Sequence, residues 1–148
     1  IYIGILFSFL FMSTLLAVGA ATVYSSVIGG LWYSSLLFGK FWQKAMNITT
    51  KDLPAMKAAA GKAMGGNLLG TVVTMWAFAW LLPHTDMLMT DPSLGGFFLG
   101  LLAWIGFVVP TVLQGVFFER KPWAVAGVNL GFRLVELVGA GLIIGALI

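Results

Sequence analysis

The sequence predicts an all-α membrane protein, a bundle of four transmembrane helices, and three observations carry that prediction. Of its 148 residues, 60% are hydrophobic and only 9% are charged, whereas soluble domains usually carry about 25% charged residues. The mean hydropathy is +1.02. The apolar residues gather into four runs, approximately residues 1–38, 63–82, 94–118 and 123–148, each near or above the ~20 residues that a spanning helix needs. These features exclude a water-soluble monomer and leave one transmembrane domain over residues 1–148.

The first run, Ile1 to Phe38, is long for a single crossing. As one helix it would reach roughly 57 Å at the α-helical rise, against a hydrocarbon core of about 30 Å. It must tilt and project, or break near Gly29-Gly30. The segment "AVGAA" resembles a small-residue cleavage site, but no charged stretch precedes it as in a signal peptide. The chain begins with Ile rather than Met, which implies that a few residues precede it.

Residues 39–62 form a basic loop with Lys40, Lys44, Lys51, Lys57 and Lys62 against a single Asp52. Such loops stay cytoplasmic, so both termini are expected outside. Within it, "NITTKDLPAMKAAAGKAM" has helix-start chemistry: Thr49 as cap, Asp52 in the first turn, Pro54 early. A short interfacial helix feeding the second span is the expectation, and Lys51, Lys57 and Lys62 are placed to meet anionic lipid. The net charge of +3 reads as a topology signal, because most of the lysines lie in this one segment, and no nucleic-acid partner is expected.

The second run carries Asn67, Thr71 and Thr74 at helical spacing. In the third, Pro110 predicts a kink and Gln114 follows one turn later, where freed carbonyls and a polar side chain can coincide. The connection between these runs holds His84, Asp86 and Asp91. One His and two loop carboxylates are a weak ligand set, so no metal is expected.

The fourth run places Arg133 and Glu136 in mid-membrane. At 100° per residue, with Asn129 at zero, Arg133 falls near 40°, Glu136 near −20° and Ala140 near 20°. These residues share one narrow face. Gly127, Gly131, Gly141 and Gly145 fall between about 120° and 200° on the opposite face, as two G-x-x-x-G pairs that permit close helix packing. A lone central charge costs at least about 2.5 kcal/mol, so an i,i+3 pair within the helix is the natural relief, with Asn129 one turn away to bond the guanidinium. An Arg-paired carboxylate is a poor proton carrier. The stripe is then either a packing lock between helices or a site for a solute or ion.

Trp32, Tyr33, Trp42, Phe117 and Trp123 border the basic segments and fit an interfacial aromatic belt. The segments "GGLWYSSLLFGKFW", "FFERKPW" and "NLGFRLVELVGAGLIIGAL", in that order, make the chain similar to domain-of-unknown-function family 1761. The resemblance implies a small four-helix membrane protein of the bacterial inner (plasma) membrane and supplies no catalytic residues. Two positions depart from the family pattern: Ser35 stands where Pro is expected, and Arg133 where His is frequent, so no imidazole is available there.

A weak internal echo pairs "GGNLLG" of the second run with "GVNLG" of the fourth, as parallel two-helix repeats would. Catalysis is not expected: there is no cysteine, one loop His, no nucleophile or metal-ligand spacing, and no cofactor motif. An interaction or scaffold protein, assembling as a homo-oligomer or membrane-complex subunit through the Gly face of the fourth helix, is the leading expectation. A small oligomeric transporter using Asn129, Arg133, Glu136, Gln114 and Asn67 is the alternative.

Overall fold

A computed structural model describes residues 2–85 and 91–148, with side chains described from residue 8 onward except residue 9. The described residues are helical and contain no strand: α1 (Tyr2–Trp32), α2 (Gly39–Ala45), α3 (Leu53–Leu81), α4 (Pro92–Ala103), α5 (Val109–Phe117) and α6 (Trp123–Leu147). One 3-10 turn, Leu82–His84, ends α3, and a π-helical turn, Trp104–Val108, joins α4 to α5. Four helical stretches are long and apolar enough to cross a membrane: Leu10–Trp32, Leu53–His84, Pro92–Phe117 and Trp123–Leu147.

The first helix is shorter than its apolar run and does not break at Gly29-Gly30. It stops at Trp32 because Ser34 captures its end, the hydroxyl donating to Leu31 O at 2.7 Å and accepting from Leu36 N. The turn closes with Gly39 N on Ser34 O at 2.9 Å. A Cβ on Gly39 would collide with the carbonyls of Tyr33 and Ser34, so this turn requires glycine.

The basic segment over residues 39–62 is helical at both of its ends. Its first part is α2, which ends at Asn47 in the left-handed region (φ 55°). Its last part belongs to α3, which runs unbroken from Leu53 to Leu81. Asp52, rather than Thr49, is the capping position. Its carboxylate accepts from Thr49 N at 2.8 Å and Thr49 Oγ1 at 2.7 Å, and these bonds, the backbone one first, hold its pKa below the usual Asp value. At the opposite end Asp91 caps α4, accepting from Ser93 N at 2.9 Å, with Pro92 at the first helical position.

The third run continues through Pro110 as a helix. Proline lacks an N–H and crowds the preceding turn, and the π-helical turn lies immediately before it. His84 Nδ1 lies 2.7 Å from Trp80 O and its ring stacks on Trp80. Among the described residues no His or carboxylate cluster could hold a metal; Asp86 lies outside them.

Helix α6 is the axis of the bundle. It packs on α4 over the longest stretch, then on α1, while α1 also packs on α3. Gly96 and Gly141 meet backbone to backbone, and a Cβ on either would enter the other's carbonyl. Gly145 meets Pro92 O and Gly100 meets Leu137 O in the same way. Half of the predicted glycine face is thus consumed inside the chain, against α4, as small-residue packing in membranes allows. Gly131 meets the Trp32 ring, and Gly127 faces open space. The remaining core joins Ala17, Ala21, Met75, Leu99, Ala140 and Ile144, all 5% exposed or less.

Candidate functional site: a cleft at Arg133

Helix α3 and the α4–α5 rod both lean on α6, yet they contact each other mainly near Leu82–His84. Toward the basic end they separate, and a cleft of about 590 Å³ opens between them. Its volume lies within the range of small-molecule sites. Asn67, Thr74 and Phe78 line it from α3, and Asn129, Phe132, Arg133 and Leu137 from α6. From the α4–α5 rod come Ala103, Phe107, Val108, Thr111 and Val112, while Tyr33 closes one corner.

Aromatic side chains fix α6 in place. Trp32 Nε1 donates to Val128 O at 3.1 Å, Trp104 Nε1 to Leu130 O at 2.8 Å, and Tyr24 OH to Val135 O at 2.9 Å. Tyr33 OH donates to Asn129 Oδ1 at 2.8 Å, and its ring packs edge-on against Phe132 and Trp42. Trp32 and Tyr33 are therefore hydrogen-bond donors to α6. Trp123 is 63% exposed and edge-on to Phe117, and Trp42 packs on Tyr33.

The expected ion pair forms: Arg133 Nη1 donates to Glu136 Oε2. The partners differ in surroundings, for the Arg133 side chain is 42% exposed and that of Glu136 only 2%. Arg133 lies over the Phe132 ring and lines the cleft, whereas Glu136 is sealed behind it and does not. Asn129 does not bond the guanidinium as expected; its oxygen accepts from Tyr33 OH instead.

Of the proposed polar set, Asn67, Asn129 and Arg133 come together in the cleft. Gln114 is exposed and outside it, because the π-helical turn re-phases α5 and presents Thr111 and Val112 instead. Thr71 donates to Asn67 O, Thr74 to Gly70 O and Thr111 to Phe107 O. Thr111 carries no sequence signal beyond its place after Pro110, and Trp104 carries none. The two asparagines of the internal echo, Asn67 and Asn129, lie on facing walls of the same cleft.

A smaller cavity of about 170 Å³ adjoins, lined by Val116, Val125 and Lys121 among others. Thr111, Val112 and Asn129 are common to both. Lys121 on the smaller cavity pairs through its ammonium with Glu119 at 2.7 Å.

The family model for a protein of unknown function (DUF1761) matches residues 16–145. No curated protein and no solved structure matches the chain. A match over nearly the whole chain places it in a family: this all-helical chain, with four stretches able to cross a membrane and a cleft at Arg133, belongs to the DUF1761 family.

Proposed function

We propose that this is a small membrane transporter that binds its solute in the Arg133 cleft, a reading carried by the cavity that reaches Asn129 and Arg133. A stripe serving only as a packing lock has no need of an open cavity beside its guanidinium. The lock survives in part: the buried Glu136 holds Arg133 from behind and sets the rotamer it presents. Intramembrane ionisable groups that face a cavity mark solute paths.

In this reading the basic end is cytoplasmic, both termini are outside, and the membrane is the bacterial inner one. Lys51, Lys57 and Lys62 lie at that surface beside anionic lipid. Assembly as a homo-oligomer or with a partner subunit belongs to the same reading, since the gap between α3 and α5 leaves one side of the cleft unwalled. No catalytic step is assigned.

Purified protein reconstituted in vesicles loaded with a panel of labelled small organic acids tests this. The wild type is expected to release at least one of them. Thr111→Trp, which fills the cleft, and the double variant Arg133→Leu/Glu136→Met are expected to release none while eluting as wild type on gel filtration. Release no faster than from protein-free vesicles, or equal release by all three proteins, counts against transport and leaves the packing lock.

A further inference from the structure

We infer that the ligand of the cleft is an anionic amphiphile, a single oxyanion head on an apolar body, held with its head at Asn129 and Arg133 and its body toward Leu137 and Phe78. The inference rests on the cleft being a ligand site and adds the class of ligand.

The head group follows from which hydrogen-bond partners are already used. Tyr33 OH, Thr74 Oγ1 and Thr111 Oγ1 all spend their hydrogens on protein oxygens. Asn129 has its oxygen occupied by Tyr33, which leaves the Nδ2 hydrogens for the cleft. Arg133 has five N–H donors and gives only Nη1 to Glu136. Asn67 on the α3 wall offers both a donor and an acceptor, whereas the unspent groups at Arg133 and Asn129 are donors. A carboxylate or phosphate accepts from both, whereas an ammonium finds a guanidinium in its way. The buried glutamate does not reverse the preference, since the ion pair is oriented with its positive end in the cleft and its negative end behind.

The apolar body follows from depth. Entering from the basic end, α6 presents Asn129, then Arg133, then Leu137, and α3 presents Asn67, then Thr74, then Phe78. The rod runs from Thr111 to Val108 and Ala103 in the same direction. Past Thr74, Thr111 and Arg133 the walls are apolar, with Phe78 on α3, Val108, Phe107 and Ala103 on the rod and Leu137 on α6. Phe107, 76% exposed at the rim, stands where α3 and the rod do not touch, so such a molecule enters sideways from the bilayer. The volume suits one chain and is small for the two chains of a bilayer phospholipid.

Equilibrium dialysis against the full chain in nanodiscs, corrected with empty nanodiscs, tests this with dodecanoate, dodecanol, dodecyltrimethylammonium and acetate. Dodecanoate is expected to bind saturably, one per chain, and to be lost in Thr111→Trp. Dodecanol should bind about tenfold more weakly for want of charge-assisted hydrogen bonds, and the ammonium and acetate more weakly still. Asn129→Leu should lower dodecanoate affinity several-fold and leave dodecanol unchanged, a loss of selectivity that a merely structural residue would not cause. Acetate binding as tightly as dodecanoate, or dodecanol or the ammonium binding best, with sensitivity to Thr111→Trp retained, overturns the amphiphile and keeps a solute site. Binding of every probe unaffected by Thr111→Trp overturns the site itself.

Discussion

Arg133 and Glu136 form one ion pair across two environments, the guanidinium 42% exposed in a cleft and the carboxylate 2% exposed behind it. The asymmetry orders three variants. Arg133→Leu strands a buried carboxylate and should cost about 3–5 kcal/mol. Glu136→Met leaves a guanidinium that still reaches the cleft and should cost less. The double variant Arg133→Leu/Glu136→Met should fall closest to wild type, because no unpaired charge is left inside. Thermal unfolding of the three proteins in one detergent measures the order, and a double variant less stable than Arg133→Leu contradicts it.

Tyr33 reaches Asn129 across 96 positions of sequence. Tyr33→Phe removes one hydrogen bond, keeps the ring packing on Phe132, and should cost about 1 kcal/mol. The same variant frees the Asn129 oxygen, so the amide can turn an acceptor into the cleft. Unfolding midpoints for Tyr33→Phe, Asn129→Leu and the double variant check this. The two losses should be less than additive, since both remove one bond.

The glycines of α6 separate into used and unused positions. Gly141→Ala drives a methyl group into Gly96 O and should cost roughly 1–3 kcal/mol, as overpacking does. Gly127→Ala meets nothing and should be neutral, or stabilise by up to about 1 kcal/mol through helix propensity. Equal effects from the two substitutions would contradict the packing of α4 on α6.

Asp52 gives the basic segment a pH dependence. Its folded pKa lies below the usual Asp value because the Thr49 N–H and hydroxyl bond the charged form. A lowered carboxylate pKa contributes order above the unfolded value and loses it as pH falls through the folded one. Hydrogen-exchange protection at the Thr49 amide should therefore persist at neutral pH, disappear in acid below the usual Asp range, and be absent at all pH values in Asp52→Ala.

How much of this was legible in the chain depends on how local each feature is. Four apolar runs are a statement about neighbours in sequence, and the described residues have four apolar helical stretches to match. The polar face of Asn129, Arg133 and Glu136 followed from helical angles alone, as did the pairing of the two charges. The ends of the runs were less legible: hydropathy carries the first run to Phe38, but Ser34 and Gly39 end the helix at Trp32 through turn hydrogen bonds. Composition likewise hid the start of α3, because lysines at 57 and 62 mask a helix that continues through them. Long-range contacts were not legible. The angles placed Gly141 and Gly145 on one face without showing that Gly96 of α4 would occupy it, and a π-helical turn that removes Gln114 from the cleft and supplies Thr111 leaves no periodicity to read. The inward bonds of Trp32 and Tyr33 were concealed by their likeness to belt residues.

The chain has no cysteine, so any thiol introduced into it is the only one present. This makes accessibility of the cleft directly measurable in native membranes with a membrane-impermeant methanethiosulfonate. Asn129→Cys and Thr111→Cys are expected to react, and faster with the anionic sulfonatoethyl reagent than with the cationic trimethylammonium one, because Arg133 faces the same space. Leu142→Cys, on the 40% exposed apolar side of α6, is expected to stay unmodified in lipid. An Asn129→Cys thiol as unreactive as that at Leu142 would mean a dry stripe and would contradict the solute cleft.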